Sequence, residues 1–394
     1  MIPRTKANYG LRDLLAALRV TDAGPDHRAR LRDQLSRHLG GRPILLTPSG
    51  RGGLYYLLKA TDRPRVLVPA YTCKAVVEAA RLAGKDVGYL ATEAGGFNLD
   101  PQAVAREADA RTVVLATHQF GIPCRIAEIV ALCRERQALV IEDAAAALGT
   151  RIDGRPAGTF GDAAVFSFDS TKLVTVPLKG GFLTVADADR LARVARVARA
   201  EARPMSAAHK LRLLALASLL VLLENHRLYW LFHTALFRAR GRFTTDTPAL
   251  NLARTPFYVH ELANWQAFLA ARQVAHLPAL IAKRQRLYRQ LIDALHGCRA
   301  LELPPADPDG DWACIRFPLR VRGDKLAFYE RALRRGVDFA FSFTYLAAPE
   351  ACDDAARLAR AVLDPPFYDK LSDAELHRVV SVIRAVDEEL DDGP

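Results

Sequence analysis

Between residues 44 and 190, short apolar runs alternate with longer segments in which apolar and polar residues are mixed. Apolar runs of four to eight residues that are bounded by turn residues are typical of buried β-strands. The mixed segments between them have room for helices. The predicted strands occupy residues 44–47, 66–68, 87–90, 112–117, 138–142 and 163–168.

The order of these elements predicts a sheet that is mostly parallel. Strand and helix alternate about every 20 to 25 residues, which is the pattern of a parallel sheet with helices on both faces. The predicted fold class is therefore α/β, with a mostly parallel central sheet flanked by helices. In such sheets a ligand binds beyond the carboxyl ends of the strands, so functional residues are expected at that edge.

The patterning divides the chain into four predicted segments. Residues 1–43 are arginine-rich and predicted to be helical, and residues 44–203 form the predicted large, cofactor-binding domain. Residues 204–255 form a predicted helical insert, and residues 256–394 a smaller C-terminal α+β domain. The elements predicted within the smaller domain are a helix at 283–297, a strand at 314–321, and helices at 325–334 and 372–390.

The predicted insert is unusually apolar. Its first helix contains LLALASLLVLL, and a basic, aromatic stretch, LYWLFHTALFRARGRF, follows. The apolar run is too short to span a bilayer, which takes about 20 residues. One interpretation is that residues 210–240 make a peripheral membrane contact, as basic amphipathic helices do. The other is a helical hairpin packed on a dimer partner or on the rim of the active site.

Composition and charge narrow the range of partners. The 394-residue chain carries a formal net charge of +11, which suits an anionic substrate or an anionic membrane surface. The arginines are spread along the chain without a nucleic-acid-binding motif, so no nucleic-acid partner is predicted. The six cysteines show no metal-ligand spacing, and the start of the chain lacks the apolar core of a signal peptide. These features predict a cytoplasmic protein without a metal site.

Two residues at the ends of neighbouring predicted strands suggest the chemistry. Asp143 follows the strand at 138–142, and Lys172 follows the strand at 163–168 after a tight turn. Pyridoxal phosphate (PLP) needs a lysine amine for a Schiff base and a carboxylate that keeps its ring nitrogen protonated. Taken singly, Asp143 could be a helix N-cap and Lys172 a solvated charge. Their shared position at one edge of the sheet favours the cofactor.

Further polar groups are expected at the same edge. Residues 49–53 form a glycine-rich turn that opens onto a helix, where backbone N–H groups and the helix dipole favour an anion. This turn is a candidate phosphate site with Gly50 in its backbone and Arg51 as a further donor; a plain loop is the alternative. His118 and Ser167 also follow strands, although a serine there can instead bond its own backbone.

An ordered series of motifs resembles the DegT/StrS-type sugar aminotransferases, which are PLP-dependent enzymes of fold type I. The series consists of SGRG at 49–52, PAYTCKAVVEAA at 69–80, HQFGIP at 118–123, VIEDAAAALG at 140–149, GDAAVFSF at 161–168, STK at 170–172 and GGFLTV at 180–185. WQAFL at 265–269 and VLDPPFYDKLSDAEL at 362–376 are similar to the family's C-terminal pieces. The resemblance covers residues 44–190 well and residues 260–390 loosely.

The resemblance implies a role for each candidate residue. Lys172 would hold the cofactor covalently and shuttle protons, and Asp143 would pair with the ring nitrogen. Ser167 would bind the phosphate together with the turn at residues 50–51, and His118 would lie near the far side of the cofactor. A homodimer is also implied, because a partner subunit normally completes such sites.

The chain departs from the family pattern at several positions, and two of them concern contacts to the cofactor ring. Cys73 stands where the family usually has an aromatic residue that stacks on the cofactor ring, and Tyr71 would replace that residue if the segment is extended. Ala146 stands where a glutamine or histidine normally touches the phenolic oxygen of the cofactor. These departures leave open an altered chemistry or a different substrate.

The function implied is transfer of an amino group from an amino acid, glutamate by resemblance, to a keto-sugar nucleotide. The setting would be polysaccharide, lipid-glycan or natural-product biosynthesis. One alternative is a PLP enzyme of the same fold with other chemistry, such as dehydration, or with a non-sugar or lipid-linked substrate. Another is a catalytically idle relative that serves as a binding or regulatory subunit; the retention of Asp143 and Lys172 argues against it.

Overall fold

The computed structural model describes residues 1–240, 250–307, 310–343 and 353–391. The N-terminal segment contains helices α1 (Leu11–Leu18) and α2 (His27–His38). The predicted large domain contains β1 (Ile44–Thr47), α3 (Gly50–Lys59), β2 (Arg65–Pro69), α4 (Lys74–Leu82), β3 (Asp86–Leu90), α5 (Pro101–Glu107), β4 (Thr112–Thr117), α6 (Ile126–Glu135), β5 (Leu139–Asp143), β6 (Arg151–Ile152), β7 (Arg155–Pro156), β8 (Ala163–Ser167), β9 (Gly181–Val185) and α7 (Ala188–Glu201).

The second half of the chain is mostly helical. Its elements are α8 (Ala207–Leu222), α9 (His226–Arg240), α10 (Pro256–Val259), α11 (Asn264–Val274), α12 (Leu277–Leu295), β10 (Leu301–Glu302), β11 (Leu319–Val321), α13 (Lys325–Arg334), β12 (Ala340–Phe341), α14 (Asp353–Ala361), β13 (Val362–Asp364) and α15 (Asp373–Asp391). The six strands predicted for the large domain are all found, each within one residue of its predicted bounds. The apolar runs therefore marked the strands correctly.

A seven-stranded sheet with the order β1-β9-β8-β5-β4-β2-β3 forms the centre of the molecule. Strands β3, β2, β4, β5 and β8 pair in parallel, whereas β9 runs antiparallel to both β8 and β1. β4 is buried along its whole length, as expected of a strand covered on both faces. The predicted α/β fold with a mostly parallel sheet is confirmed.

The strand register brings predicted site residues together. Thr117 at the end of β4 pairs with Asp143 at the end of β5, and Asp143 pairs with Val165 in β8. His118 follows β4 directly, and its backbone N–H donates to the carbonyl oxygen of Asp143 (3.1 Å). Ser167 ends β8. Because these strands are neighbours and parallel, their carboxyl ends form one edge, where a ligand is expected.

The smaller C-terminal part is built on a four-stranded antiparallel sheet with the order β10-β11-β13-β12. The strand predicted at 314–321 was wrong in its first half, because only Leu319–Val321 joins this sheet. Cys314 has a φ of +48°, outside the β region, and Pro318 has no N–H for a strand ladder. The segment before β11 instead carries Arg316 to the cavity described below.

Helices α8 and α9 lie in the predicted insert, of which residues 241–249 are outside the described part of the chain. Leu213, Leu214 and Ala217 of α8 are buried in a core that also contains Leu14 and Ala17 of α1. No helix among the described residues is both long and apolar enough to cross a membrane.

Candidate active site

A cavity of about 470 Å³ lies at the carboxyl ends of β4, β5 and β8. The N-termini of α3 and α4 and segments from the C-terminal part of the chain complete its walls. The cavity is lined by all seven residues predicted from the sequence, namely Gly50, Arg51, Cys73, His118, Asp143, Ser167 and Lys172. The fold thus gathers in one place groups that lie far apart in the sequence.

Asp143 is a buried carboxylate, and one of its two oxygens is available to accept a hydrogen bond from a ligand. Its Oδ1 accepts a hydrogen bond from the backbone N–H of Ala145 (3.1 Å), while Oδ2 has no donor among the described residues. Burial raises the pKa of Asp143, and the positive charge of Lys172 opposes that effect. A buried carboxylate of this kind is stabilised by a cationic partner, such as a protonated ring nitrogen.

Lys172 lies in the turn after β8, where its backbone N–H donates to the carbonyl oxygen of Asp169 (2.9 Å). Burial lowers the pKa of the Lys172 ammonium group, and the positive charge of Arg316 lowers it further. Asp143 and Asp169 act in the opposite direction. A lowered pKa keeps more of the amine unprotonated at a given pH, as a nucleophilic lysine requires.

The N-terminus of α3 forms a small cup beside Ser167. Ser49 caps this helix, because its Oγ accepts a hydrogen bond from the backbone N–H of Gly52 (3.0 Å). A Cβ atom on Gly50 would lie 3.1 Å from Cβ of Ser167 and 3.4 Å from the carbonyl oxygen of Phe166. Glycine therefore lets the helix approach β8 closely. The free N–H groups of the helix and the serine hydroxyl suit a phosphate.

The guanidinium of Arg51 is engaged within the chain. Its Nη1 donates to Oε2 of Glu78 (3.0 Å), and the group lies 5.6 Å from the ring centre of Phe257. Glu78 is buried, so its charge needs this partner. The geometry therefore favours Arg51 as a residue that positions α3 through Glu78, and its backbone N–H is left for an anion.

His118 is completely buried, and both of its ring nitrogens are used inside the protein. Nδ1 accepts a hydrogen bond from the backbone N–H of Cys124 (3.2 Å), and Nε2 lies 3.2 Å from Oε2 of Glu142. This pattern places the imidazole proton on Nε2, from which it is donated to Glu142. His118 is thus held rigidly next to Asp143 and borders the cavity.

Glu142 organises the turn at 158–161. Its carboxylate accepts three backbone N–H hydrogen bonds from that turn, at 2.6 to 2.7 Å, in addition to the one from His118. Burial would raise the pKa of Glu142, but the hydrogen bonds from His118 and the turn lower it. A buried carboxylate with four donors fixes the end of the strand that carries Asp143.

Replacing Glu142 by alanine should destabilise the protein by about 3–5 kcal/mol, because it leaves buried donors without an acceptor. Urea unfolding at neutral pH measures the change in the free energy of unfolding. The matched control is Glu128→Ala on α6, whose partner Arg125 is exposed. Loss of such an exposed ion pair should cost under about 1 kcal/mol. Equal effects of the two substitutions would contradict the structural role of Glu142.

The pH dependence of stability provides a second measurement. Since the pKa of Glu142 is lowered in the folded protein, its stabilisation is fully present above its unfolded-state pKa of about 4.3. This stabilisation is lost as the pH falls through the lower folded-state pKa. Glu142→Gln should therefore lose less stability than the wild type between neutral and acidic pH.

The position of the expected stacking aromatic residue is not filled by Tyr71. Cys73 precedes α4 and lines the cavity, whereas Tyr71 is buried outside the cavity lining. The Tyr71 hydroxyl donates to the carbonyl oxygen of Ser342 (3.2 Å), and its ring packs 5.4 Å from that of Phe343. The prediction for Tyr71 was wrong because the chain before α4 turns this side chain into the core. Phe120, Phe341 and Phe343 supply the aromatic surface of the cavity.

Arg316 is a cavity residue that was not predicted from the sequence. Its Nη1 donates to Oδ2 of Asp364 (2.9 Å) and to the hydroxyl of Ser342, which in turn donates to Asp364. This network fixes the guanidinium in the same cavity as Lys172. A signal was present, because an arginine inside the apolar run at 314–319 needs a buried partner or a functional reason.

Unpartnered polar groups in the cavity fit PLP. The hydroxyl groups of Thr72 and Thr117 line the cavity, are buried and have no hydrogen-bond partner among the described residues. Because unpaired buried polar groups cost free energy, a polar ligand is expected there. The α3 N-terminus for a phosphate, Oδ2 of Asp143 for a ring nitrogen and the amine of Lys172 complete a set that suits this cofactor.

Two named relatives align with most of the chain. A UDP-N-acetyl-3-dehydro-alpha-D-glucosamine 3-aminotransferase from Acidithiobacillus ferrooxidans is 23% identical over 346 residues, which are 85% of this chain and 82% of the relative. A dTDP-4-dehydro-2,3,6-trideoxy-D-glucose 4-aminotransferase from Saccharopolyspora spinosa is 25% identical, and the alignment covers 88% of this chain and 85% of the relative.

A solved structure and a family model complete the comparison. The fold matches that of the aminotransferase TlmJ from Streptoalloteichus hindustanus with a TM-score of 0.76 at 22% identity, covering 99% of this chain and all of the other. The model of the DegT/DnrJ/EryC1/StrS aminotransferase family matches residues 5–384. The resemblance to this family that was seen in the sequence is confirmed, and so is the predicted cofactor, PLP. This protein belongs to the DegT/DnrJ/EryC1/StrS family of PLP-dependent aminotransferases.

Proposed function

We propose that the protein transfers an amino group from glutamate to the ketone of a keto-sugar nucleotide, in polysaccharide, lipid-glycan or natural-product biosynthesis. The observation that carries this proposal is the meeting of Lys172, Asp143 and Arg316 in one cavity beside the N-terminus of α3. The two relatives described above support it, because both are named as aminotransferases of nucleotide-linked keto sugars.

Each of the cavity residues has a role in binding PLP or in moving a proton. PLP, when bound, supplies a ring that withdraws electrons from the reacting carbon. Lys172 would hold PLP covalently and move a proton at the substrate carbon. Asp143 would keep a proton on the ring nitrogen of PLP. The hydroxyl of Ser167 and the backbone of Gly50 and Arg51 bind the phosphate.

Arg316 is proposed to bind the carboxylate of the amino-acid donor. Its side chain is 22% exposed, borders the cavity and uses Nη1 for Asp364 and Ser342. The remaining N–H groups of its guanidinium have no partner among the described residues and can form charge-assisted hydrogen bonds with a carboxylate. The negative charge of Asp364 holds the guanidinium in one orientation before substrate arrives.

Replacing Arg316 by alanine should raise the KM for glutamate about tenfold to hundredfold, because a hydrogen bond to a charged group contributes about 1.5–3 kcal/mol. Initial rates at varied glutamate concentration measure this effect. The matched control is Arg322→Ala, an exposed arginine just after β11 that should leave KM unchanged. An unchanged KM with a lower kcat in Arg316→Ala would contradict the assignment to the donor carboxylate.

The proposed function separates into two half-reactions that can be tested in turn. Purified holoenzyme with glutamate alone should release 2-oxoglutarate in an amount stoichiometric with the subunits. Addition of a keto-sugar nucleotide should then give an amino sugar and continued turnover, with ping-pong kinetics. The first acceptors to test are 3-keto UDP sugars and 4-keto dTDP sugars, the classes named for the relatives. Absence of oxo-acid release with every amino acid tested would overturn the proposal.

A second candidate function is dehydration, or amino transfer to a non-sugar or lipid-linked ketone. It is favoured by Ala146, which lines the cavity at a position where the family usually has glutamine or histidine. Alanine offers no side-chain hydrogen bond to the phenolic oxygen of the cofactor. A dehydratase would consume the keto sugar without incorporating nitrogen, which mass spectrometry of the product distinguishes.

Assembly and location are also part of the proposal. A homodimer is supported by family membership, because a partner subunit normally completes sites of this type. A cytoplasmic location is supported by the free thiols among the described residues, which suit a reducing compartment. Light scattering of the holoenzyme tests the dimer, and a monomeric active enzyme would contradict it.

A further inference from the structure

Exposed apolar side chains are concentrated on three helices. Of the fourteen large hydrophobic side chains that are exposed in the described part of the chain, twelve lie on α1, α8 and α9. Single exposed hydrophobic residues are ordinary, whereas a contiguous group marks an interaction surface. Six of these side chains on α8 and α9 form what we call the apolar face: Leu216, Leu219, Leu220, Leu228, Trp230 and Leu231.

From Leu213 to its end, helix α8 is apolar on all of its sides apart from Ser218. Leu213 and Ala217 pack into the core, whereas Leu219 on the opposite side is 53% exposed. Leu216 and Leu220, which flank the buried row, are 50% and 49% exposed. A helix that is apolar all round is expected to be covered on every side. The described part of the chain covers one side of α8 and leaves these leucines about half-exposed.

Helix α9 is fixed to the body of the protein by polar contacts and directs its apolar side chains outward. The hydroxyl of Tyr229 donates to the buried carboxylate of Asp338 in the C-terminal part of the chain. The neighbouring residues Trp230 and Leu231 are 51% and 56% exposed. The outward orientation is therefore set by the anchored side of the helix.

The exposed charges on these helices are mainly positive. Four exposed arginines form no ion pair with any residue the structure describes: Arg12, Arg19, Arg212 and Arg227. The acidic side chains of α1 and of the turn between α8 and α9 are partly buried and already paired, Asp13 with Arg272 and Glu224 with Lys370. Asp22, in the turn after α1, is an exposed carboxylate that is paired with Arg28 (3.6 Å). The helices thus combine exposed apolar side chains with an excess of positive charge.

We propose that the apolar face docks on the surface of an anionic lipid bilayer, with α8 and α9 lying in the plane of the interface. Burial of apolar side chains would supply the free energy, and the arginines would attract lipid phosphates. Trp230 adds a side chain of the type favoured at membrane interfaces. This inference does not depend on the proposed reaction, because none of these residues lines the active-site cavity.

The charges favour a bilayer over a second copy of this chain as the occupant. A twofold interface through the apolar face would bring the arginines of both copies into one patch, with no exposed carboxylate from these helices to pair them. An anionic bilayer offers negative charge at its surface and an apolar interior beneath it. It therefore complements both properties of the face at once.

Vesicle flotation of the purified holoenzyme tests the proposal. The protein should float with vesicles of phosphatidylcholine and phosphatidylglycerol, and less with phosphatidylcholine alone or at high salt. The double variant Leu219→Glu/Trp230→Glu should partition about tenfold more weakly or worse, because charged groups replace two inserted apolar ones. The matched control, Leu326→Glu, changes a leucine on α13 that is 44% exposed and should float like the wild type.

Each result of the flotation experiment either supports or overturns the membrane proposal. Flotation that is lost in the double variant and kept in Leu326→Glu supports the proposal. Absence of flotation in the wild type, or equal flotation of both variants, overturns it. If the wild type does not float and the double variant has a smaller mass in light scattering, the face joins two copies of this chain, which also overturns it. Glutamate-dependent release of 2-oxoglutarate without vesicles should be equal in all three proteins, so failure of this proposal is distinguishable from failure of the proposed reaction.

Discussion

Replacement of Lys172 by alanine should lower kcat by roughly 10⁴-fold or more, because a positioned general acid–base group alone typically contributes 10²–10⁴ and the covalent tether is lost as well. The free energy of unfolding should change little. Burial and Arg316 already lower the pKa of Lys172, so the site is a poor environment for its charge and removal of the amine relieves that conflict. The side chain also faces a cavity rather than the packed core.

Chemical labelling identifies the tether directly. Borohydride reduction of the wild-type holoenzyme, followed by peptide mapping, should place the modification on the peptide that contains Lys172. The Lys172→Ala protein should carry no such modification. Cofactor retained without a covalent link should be removable by dialysis, because only the phosphate cup and Asp143 would hold it.

Lys179 provides the matched control because it lines the same cavity. Its side-chain nitrogen is paired with Asp169 and lies 5.1 Å from the ring centre of Phe257, so it is engaged by partners within the chain. Lys179→Ala should therefore retain the modification at position 172. A label on Lys179, or no label on protein that is demonstrably loaded with cofactor, would refute the assignment of Lys172.

The large sheet and the edge that holds the site could be predicted because they follow from local patterns. The apolar run at 138–142 has the length and the flanks of a buried strand, and β5 covers Leu139–Asp143. Because that strand is parallel to its neighbours, its last residue lies at the edge of the sheet where ligands bind, at the carboxyl ends of the strands. The same reasoning placed His118 and Ser167 correctly beside the cavity.

Arg316 could not be placed in this way, because its position depends on contacts between distant segments. Its partners Ser342 and Asp364 come from separate parts of the C-terminal region, and the left-handed φ of Cys314 interrupts a run that otherwise indicates a strand. The prediction that Tyr71 stacks on the cofactor was wrong for a related reason. The direction of a side chain in a turn is set by packing, here against Phe343, and not by the sequence pattern around it.

Asparagine in place of Asp143 should lower kcat by roughly a hundredfold or more, because a neutral amide cannot keep the ring nitrogen protonated. Asparagine keeps the size of the side chain and can still accept the hydrogen bond from Ala145. Burial raises the pKa of Asp143, which means that its charge is unfavourable in the folded protein. The free energy of unfolding at neutral pH should therefore stay the same or rise, as urea unfolding would show.

Asp100→Asn is the matched control for this substitution. Asp100 caps α5, where its side chain accepts a hydrogen bond from the backbone N–H of Gln102, and asparagine serves equally well at such a position. This variant should keep both activity and stability. A large loss of stability in Asp143→Asn would mean that the carboxylate is needed for folding, and the loss of activity would then say little about the cofactor.

The pH dependence of cofactor uptake distinguishes an electrostatic role from general damage. Lys172 can react with an aldehyde only as the unprotonated amine. Asp143 raises the pKa of that amine and Arg316 lowers it. Asp143→Asn should therefore move the midpoint of PLP uptake by the apoprotein to lower pH, and Arg316→Ala should move it to higher pH. Structural disruption would not produce shifts of opposite sign, so shifts in the same direction would mean that these two charges do not act on Lys172.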